Sequence, residues 1–291
     1  MKIRTLAYAK INLFLDVTGI RDDGYHNVET VMQSISLCDI VDVELLDDHK
    51  IIIECDAEGV PLDEKNIANK AARLFFERVG SEKGAKISIK KNIPMAAGLA
   101  GGSADGAAVL IALNELFGGV LSNEELCKIG SQLGADVPFC IMCGCMYSDG
   151  RGDQLSNFVA VPNDICFVVA CGGEGVSTPQ AYALLDCEYN NFFEYEKKGV
   201  AALKEKMLIG DVGFSKEFFN IFEKPISKRR PAVNQIKDIM DANGAARSMM
   251  SGSGPSVFGV FCNTDDAKKA SLEIEKEGYF STVAYPVFER I

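Results

Sequence analysis

The sequence predicts an α+β protein with two domains, and three observations support this fold class. The chain has 291 residues, 47% of them hydrophobic, which is enough for one large domain or two of ordinary size. Strand-like alternation of apolar and polar residues dominates its first part, and helical patterns follow. Towards the end, the order strand, helix, turn, strand, helix, strand is typical of a split βαβ sandwich. Because the composition changes after Asp153, we expect one domain over residues 1–158 and another over 159–291.

Periodicity and capping signals predict the elements of the first domain. Strands are expected at residues 3–17, 30–38, 40–46, 50–54 and 85–93, with a hairpin connection over 47–49. Helices are expected at 66–79, 103–117 and 123–134, the last opened by a capping box at 122–125.

The second domain is predicted in the same way. A buried strand at 165–170 precedes a helix that Thr178 caps, that Pro179 begins and that carries Tyr182. Helices at about 197–207 and 215–223 lead to a basic run at 224–230, interpreted as a solvated connector. A helix at 232–242, a Gly/Ser turn at 248–255, a strand at 256–262, a helix at 264–277 and a strand at 282–287 complete the domain.

The charge and hydropathy of the chain argue against several classes of partner. Its net charge of −11 does not suit nucleic acid or an anionic membrane surface. No run of about eighteen apolar residues is present, so we expect no membrane span. Lys10 and Asn12 lie too near the start for a signal peptide. We expect a small-molecule substrate and a monomer or homodimer.

The ten cysteines indicate a reducing cytoplasm rather than a disulfide scaffold. Cys140, Cys143 and Cys145 are close enough in sequence to suggest zinc. No second pair follows at metal-finger spacing, however, and the only histidines are His26 and His49. We therefore interpret the cysteines as small core residues and expect no protein-bound metal site.

Small residues dominate the stretch at 94–108, PMAAGLAGGSADGAA, which leads directly into an apolar helical run. Such residues let a backbone come close to a ligand, and a helix N-terminus offers free N–H groups and the positive end of its dipole. The stretch therefore fits a loop that holds a polyphosphate. A turn that lets a helix pack closely on a sheet is the alternative. Without Gly-Lys-Ser/Thr, the loop is not the P-loop of other NTPases.

A few polar residues elsewhere suggest chemistry. Lys10 interrupts the first strand, where it would face either water at a sheet edge or an anionic group. Asp136 would either cap a short helix containing Pro138 or act as a general base beside a phosphate. Tyr25 and His26 follow an Asp-Gly turn, where they would pack locally or stack on a planar ligand.

Four motifs together resemble those of the GHMP small-molecule kinases, in that family's order. They are AKINLFL at 9–15 with DGYH at 23–26, the loop at 94–108, LGADVP at 133–138 and SGSG at 251–254. The motif at 23–26 points to the branch that phosphorylates a cytidine-diphospho-methylerythritol of the non-mevalonate isoprenoid pathway. The resemblance implies a two-domain GHMP kinase fold, with an N-terminal ribosomal-protein-S5-domain-2-like domain and a C-terminal ferredoxin-like α/β sandwich.

The resemblance also implies roles for individual residues. Asp136 would take the proton from the substrate hydroxyl, and Lys10 would stabilise charge and orient the nucleophile. ATP with Mg²⁺ would supply the phosphoryl group. The residues implied to hold ATP are Asn66, Pro94, Ala96, Ala97, Gly98, Leu99, Ala100, Gly101, Gly102, Ser103 and Ala104. The residues implied to hold the substrate are Asn12, Tyr25, His26 and Tyr182.

The loop departs from some relatives in two ways. Alanine replaces glycine at 96, 97 and 100, and Ala104 replaces a serine whose hydroxyl would contact magnesium or phosphate. Asp105-Gly106 stands where a polar residue followed by alanine is common. A glycine there costs roughly 1 kcal/mol of helix stability relative to alanine.

Two alternative functions stay open. Another GHMP kinase, acting on homoserine or a mevalonate derivative, would keep Asp136 and the loop but would not need paired aromatic residues for cytosine. A ligand sensor on the same fold could lose Lys10 or Asp136, and both are present.

Overall fold

A computed structural model describes residues 1–22, 24, 26–173, 175–189 and 199–290. The chain forms two compact units, both discontinuous in sequence. The first unit contains residues 1–9, 37–94 and 100–143, and the second contains residues 10–36, 95–99 and 144–291. The predicted domain boundary near residue 158 stays a prediction.

The chain begins with three strands, and strands and helices are mixed after them. The strands are β1 (Lys2–Ile20), β2 (His26–Leu46), β3 (Ile51–Cys55), β4 (Gly84–Lys90), β5 (Cys145–Asp149), β6 (Gln154–Asn157), β7 (Cys166–Cys171), β8 (Phe219–Asn220), β9 (Arg247–Met250), β10 (Val257–Phe261) and β11 (Phe280–Ala284). The α-helices are α1 (Ile67–Val79), α2 (Gly101–Leu116), α3 (Asn123–Leu133), α4 (Val137–Met142), α5 (Thr178–Glu188), α6 (Ala201–Leu208), α7 (Glu223–Ser227), α8 (Pro231–Ala242) and α9 (Thr264–Lys276).

The strands of the first unit correct the predicted hairpin over residues 47–49. The C-terminal part of β2 pairs antiparallel with β4, with Val43 opposite Ile87. Strand β3 pairs parallel with the other edge of β4, where Ile53 is opposite Ile87. Strand β4 therefore lies between β2 and β3, which cannot form a hairpin with each other. The local turn signal was right, but strand pairing is set by more distant contacts.

Four helices complete the first unit. Asn66 caps α1 by accepting a hydrogen bond from the Ala68 N–H, and the capping box predicted at Ser122 and Glu125 opens α3. Helix α2 packs against α1, α3 and α4. Its buried face is made almost wholly of small and aliphatic side chains, so neighbouring helices come close to its backbone.

The C-terminal sheet of the second unit confirms the split βαβ prediction. Its strand order is β11-β7-β10-β9, and every adjacent pair is antiparallel. Helices α8 and α9 pack on this sheet and on each other. Val168, Ile236, Phe261 and Ile274 are among the residues that fill the apolar core between sheet and helices.

Several predicted elements in the second unit need correction. Residues 247–250 form strand β9, so the Gly/Ser turn begins only at Ser251. The N-cap of α5 is Ser177, which makes Thr178 the first helical residue. In place of a helix at 215–223 there are a 3-10 helix (Val212–Glu217) and β8. Helix α7 covers the first part of the supposed basic connector at 224–230. The first two residues of the helix expected at 197–207 lie outside the described residues, and α6 begins at Ala201.

Strands β5 and β6 lie where the sequence predicted no element. Strands β5 and β6 pair antiparallel, and β5 also pairs with the part of β2 that contains Thr30. The two-residue strand β8 pairs parallel with β1. In the part of the chain that the structure describes, we find no helix long and apolar enough to cross a membrane.

Gly106 gives a test of packing in the first unit. A Cβ atom added at Gly106 would lie 2.6 Å from Ile67 Cγ2, whereas one added at Gly102, in the same helix, would meet Ile67 Cδ1 at an ordinary 3.6 Å. We predict that Gly106→Ala lowers the free energy of unfolding by about 1 kcal/mol, because overpacking exceeds the gain in helix propensity. The control, Gly102→Ala, should leave the stability unchanged or raise it by up to about 1 kcal/mol.

Urea denaturation of both variants measures this difference. A Gly106→Ala variant at least as stable as the wild type would show that Ile67 moves aside at no cost. The residue would then be an ordinary helix glycine with an entropic penalty.

Candidate active site

The small-residue loop belongs to both units. Residues 95–99 are part of the second unit, whereas Pro94 and the residues from Ala100 onwards are part of the first. Helix α2 starts at Gly101 with Ala100 at its N-cap position, and no side chain caps it. By contrast, side chains cap α1, α3, α5 and α9. The first N–H groups of the sixteen-residue helix α2 therefore lack the side-chain acceptor that those helices have.

The loop alanines adopt strained backbone conformations. Ala96 and Ala100 have φ values of 50° and 58°, in the left-handed region that glycine tolerates better. This conformation costs an alanine roughly 1 kcal/mol or more. This chain adopts the left-handed conformation at both positions despite the alanine side chains.

Packing explains only part of the loop's small composition. A Cβ atom on Gly101 would lie 3.1 Å from Ile93 Cγ2, a tight contact with the segment that follows β4. Gly102 has only an ordinary contact at that position. The packing interpretation therefore applies to Gly101 and to Ala104, which is fully buried, but leaves the absence of a side chain at Gly102 unexplained.

Asp136 stands before α4 in the first unit, and the capping interpretation is wrong. Its backbone is helical (φ −79°, ψ −14°), and its side chain makes no cap hydrogen bond to the first turn. The turn that leads to it lies beside the start of α2, since a Cβ atom on Gly134 would be 3.9 Å from Ser103 Oγ. The first unit thus brings the Asp136 segment close to one end of the loop.

Asn66 uses both ends of its carboxamide within the chain. Its Oδ1 accepts from the Ala68 N–H at 2.8 Å, and its Nδ2 donates to the Pro61 carbonyl at 2.7 Å. The side chain fixes the start of α1. Its predicted contact with adenine stays a prediction.

Lys10 is buried in the second unit, which rules out the water-facing interpretation. Its ammonium donates to Asn12 Oδ1 at 2.6 Å, and its N–H donates to the Leu99 carbonyl at 3.2 Å. Asn12 Nδ2 donates in turn to Thr30 Oγ1 at 2.9 Å. Strand β1 therefore places Lys10 directly against Leu99, the last loop residue of the second unit.

Ser251 joins the Gly/Ser turn to both of these segments. Its hydroxyl accepts from the Asn12 N–H at 3.3 Å and donates to the Gly98 carbonyl at 3.1 Å. The approach is so close that a Cβ atom on Gly98 would lie 2.2 Å from the Ser251 carbonyl oxygen. Likewise, a Cβ atom on Gly252 would lie 2.8 Å from the Gly98 carbonyl oxygen. Glycine is required at both positions.

Asn220 is a buried residue of this region that sequence reasoning missed. Its Nδ2 donates to the carbonyl oxygens of Met250 at 2.7 Å and Gly252 at 2.9 Å, which holds the turn in place. The two-residue strand β8 carries it. No sequence signal distinguishes it from other asparagines in an irregular segment.

His26 and Tyr182 lie together in the second unit. Their rings stack with centroids 4.5 Å apart and an interplanar angle of 29°. His26 Nε2 lies 3.0 Å from Asp186 Oδ1, and the Tyr182 ring packs edge-on against Phe222 at 4.9 Å. Asp186 and Phe222 were not predicted, although Tyr182 and Asp186 are four residues apart on one face of α5. Tyr25 lies outside the described residues.

A buried ionic triad in the first unit was also missed. The Lys91 ammonium contacts the carboxylates of Asp39 and Asp105, at 2.7 Å for Asp105, and all three side chains are at most 7% exposed. Asp39 also accepts from the N–H groups of Asn92 and Ile93. The triad ties the start of α2 to the segment that follows β4.

Burial dominates the ionisation of Asp105. Despite the attraction of Lys91, burial and, to a smaller extent, the nearby Asp39 carboxylate together raise the pKa of Asp105 to about 7. One Asp105 oxygen, Oδ1, is buried without a hydrogen-bond partner. For Lys91, burial lowers the pKa, but the attraction of the two carboxylates is larger, so the pKa is raised overall.

The raised pKa of Asp105 leads us to expect that the stability of the fold depends on pH. Its pKa is raised in the folded state, so the neutral form stabilises the fold below the unfolded-state pKa, and this contribution is lost as the pH rises through about 7. We predict that Asp105→Asn, which cannot ionise, gains stability relative to the wild type between pH 5 and pH 8, by about 1 kcal/mol or more.

Denaturation midpoints at pH 5, 6, 7 and 8 measure this gain. Asp42→Asn is a matched control, because hydrogen bonding to Arg4 and Lys2 lowers the pKa of Asp42 and keeps it ionised throughout this range. Its stability difference from the wild type should stay constant. Equal pH slopes for Asp105→Asn and wild type would contradict the assignment.

Comparison with known proteins places the chain in a family. The family model described as "GHMP kinases N terminal domain" matches residues 66–144, and that described as "GHMP kinases C terminal" matches residues 200–279. A solved 4-(cytidine 5'-diphospho)-2C-methyl-D-erythritol kinase has a TM-score of 0.80 at 31% identity, covering 97% of this chain and 99% of that one. The homoserine kinase from Cytophaga hutchinsonii has a TM-score of 0.75 at 22% identity, covering 99% and 95%, and so shares the fold.

Curated relatives show which group of GHMP kinases the chain resembles. The 4-diphosphocytidyl-2-C-methyl-D-erythritol kinase of Caldicellulosiruptor saccharolyticus is 42% identical over 91% of this chain and 90% of its own. The enzyme of that name from Clostridioides difficile is 42% identical over 95% and 94%. These matches span nearly the whole of both chains and confirm the predicted two-domain fold class. The chain belongs to the GHMP kinases, and within them to the 4-diphosphocytidyl-2-C-methyl-D-erythritol kinases.

Proposed function

We propose that this kinase transfers the γ-phosphoryl group of ATP to the 2-hydroxyl of 4-diphosphocytidyl-2-C-methyl-D-erythritol, giving the 2-phosphate and ADP for isoprenoid precursor synthesis. The observation that carries the choice of substrate is the His26–Tyr182 stack with Asp186 at its edge. Aromatic faces stack favourably on a nucleobase, and polar groups beside them bind its edge. A homoserine or mevalonate site has no base to bind.

The phosphate chain of ATP is assigned to the small-residue loop. The start of α2, with no side-chain cap, supports this role, because free N–H groups and the helix dipole favour an anion. The strained backbone at Ala96 and Ala100 supports it as well, since strain is often kept at functional sites. The loop residues from Pro94 to Ala104 and Asn66 stay the proposed ATP contacts.

Asp136 and Lys10 are the proposed catalytic residues. Phosphoryl transfer depends on positioning and charge stabilisation. Asp136 would accept the proton of the 2-hydroxyl, and its lack of a capping hydrogen bond is compatible with that role. Lys10 would stabilise negative charge and orient the nucleophile, for which its buried, hydrogen-bonded ammonium is suited.

The substrate contacts are assigned to Asn12, His26 and Tyr182, with Tyr25 assigned from the resemblance alone. His26 and Tyr182 would hold the cytosine. The Asn12 carboxamide is already bound by Lys10 and Thr30, so its contact with substrate would add to an existing network.

The residues present fit a magnesium ion held mainly by ATP. Magnesium takes oxygen ligands and keeps several of its waters, so one or two protein oxygens suffice. The Ser103 hydroxyl is such an oxygen in the first turn of α2, and Asp136 follows the turn at Gly134 that lies beside Ser103. The described residues contain no group of three or more His, Cys, Asp or Glu able to hold a metal. When bound, the ion would neutralise phosphate charge.

A cytoplasmic enzyme acting as a monomer or homodimer stays our proposal. All ten cysteines are free thiols, including the exposed Cys187 and Cys262, which suits a reducing compartment.

A substrate panel tests the proposed function. We predict that the purified protein releases ADP from ATP when 4-diphosphocytidyl-2-C-methyl-D-erythritol is added, and that homoserine and mevalonate give only the background rate. A coupled assay for ADP measures the three rates. Equal turnover with homoserine or mevalonate would contradict the substrate, and no turnover with any of them would favour a sensor.

Asp136→Asn tests the proposed general base. The amide keeps the shape of the side chain but cannot accept the proton, so kcat should fall at least a hundredfold, the low end for a lost base. The Kd for ATP, measured by titration calorimetry, should change little. Asp153→Asn, a carboxylate paired with Arg151 and assigned no part in the site, is the control. Unchanged turnover in Asp136→Asn would remove the base from the mechanism.

A further inference from the structure

We infer that Thr30 is a positioning residue for the reaction, which fixes the Asn12 carboxamide so that its oxygen, and not its nitrogen, faces the Lys10 ammonium. This inference rests on the proposed function, because it takes Lys10 as a catalytic residue. Thr30 lies on β2 and was not singled out by sequence analysis.

The order of donors along the chain of hydrogen bonds fixes the orientation. The Phe14 carbonyl can only accept, and Thr30 Oγ1 lies 2.7 Å from it, so the single hydroxyl proton of Thr30 is committed there. Thr30 Oγ1 is then an acceptor towards Asn12, at 2.9 Å, which requires the Asn12 NH₂ group at that end. The Asn12 oxygen is left at the other end, 2.6 Å from the Lys10 ammonium, which can only donate.

Burial makes this orientation depend on Thr30. Lys10, Asn12 and Thr30 are only 4%, 3% and 3% exposed, so water has little room to replace a lost partner. Without the Thr30 acceptor, the Asn12 NH₂ group would be buried and unsatisfied, which is costly. A flipped carboxamide would instead place NH₂ against the ammonium, two donors facing each other. Either change would displace or repel the Lys10 ammonium.

The backbone around this chain of hydrogen bonds is held independently. The Asn12 N–H donates to Ser251 Oγ, and Thr30 is opposite Ser148 in the β2–β5 pair. A change in the Thr30 hydroxyl should therefore alter side-chain orientation more than the backbone. Small displacements of a positioned group are known to reduce rates strongly, by up to about a hundredfold per ångström.

The first test compares Thr30→Val, which keeps the shape but removes the hydroxyl, with Thr30→Ser, which keeps the hydroxyl. We expect Thr30→Val to lower kcat about tenfold to a hundredfold with less than about a threefold change in the KM for ATP, and Thr30→Ser to restore kcat to within about threefold. The matched control is Thr282→Val, which alters a strand threonine of β11 whose hydroxyl donates to the carbonyl of its neighbour Val283 at 3.5 Å. Normal kcat in Thr30→Val, or equal loss in Thr30→Ser, would overturn the inference.

A double-mutant cycle with Asn12→Asp distinguishes orientation from general damage. A carboxylate has an acceptor oxygen at both ends, so it has no orientation for Thr30 to fix. We expect Thr30→Val to have almost no further effect on kcat in the Asn12→Asp background. A full and independent loss would show that Thr30 acts in another way.

Two controls keep the outcomes separate. Circular dichroism and thermal midpoints check folding, and if Thr30→Val does not fold, Thr30→Cys takes its place, because a thiol is a poor acceptor and should give the same loss. The wild type is assayed with 4-diphosphocytidyl-2-C-methyl-D-erythritol in parallel. No wild-type turnover would contradict the proposed function, whereas normal wild-type and normal variant turnover would contradict only the role of Thr30.

Discussion

The Ser251 hydroxyl is the contact on which the candidate site in the second unit depends. It accepts a hydrogen bond from the backbone N–H of Asn12 in β1 and donates one to the carbonyl of Gly98 in the loop. Three segments that are far apart in sequence meet at this one oxygen atom. Their backbones come so close that side chains at Gly98 and Gly252 would collide with backbone oxygens. Lys10 lies two residues before Asn12 on β1, and its ammonium donates to the Asn12 carboxamide.

The fold was predictable wherever the signal was local. The capping box at Ser122 and the order of elements in the C-terminal sheet both follow from short stretches of sequence. The hairpin at 47–49 was wrong because a turn does not reveal which strand will lie beside it, and β4 comes from later in the chain. Strand β9 was missed because Met249 and Met250 adjoin Gly/Ser residues and looked like part of the turn.

The site was predictable where a polar residue stands among apolar ones, or where a motif resembles a family. Lys10 and Asn12 interrupt an apolar strand, and the structure buries both side chains, as expected for polar residues that have partners inside the protein. Thr30 and Asn220 gave no such signal, because threonine in a strand and asparagine in a loop are ordinary, and their partners are 16 to 32 residues away. The Asp105-Gly106 departure has a structural cause: Asp105 binds Lys91, and Gly106 makes room for Ile67.

The most direct measurement of the central claim is the ³¹P NMR spectrum of a reaction with ATP and 4-diphosphocytidyl-2-C-methyl-D-erythritol. If the loop, Lys10 and Asp136 act as proposed, a new phosphate monoester resonance should grow in step with ADP, while the diphosphate resonances of the substrate stay intact. Growth of inorganic phosphate alone would show hydrolysis of ATP without transfer to the substrate. That result would contradict the assigned reaction.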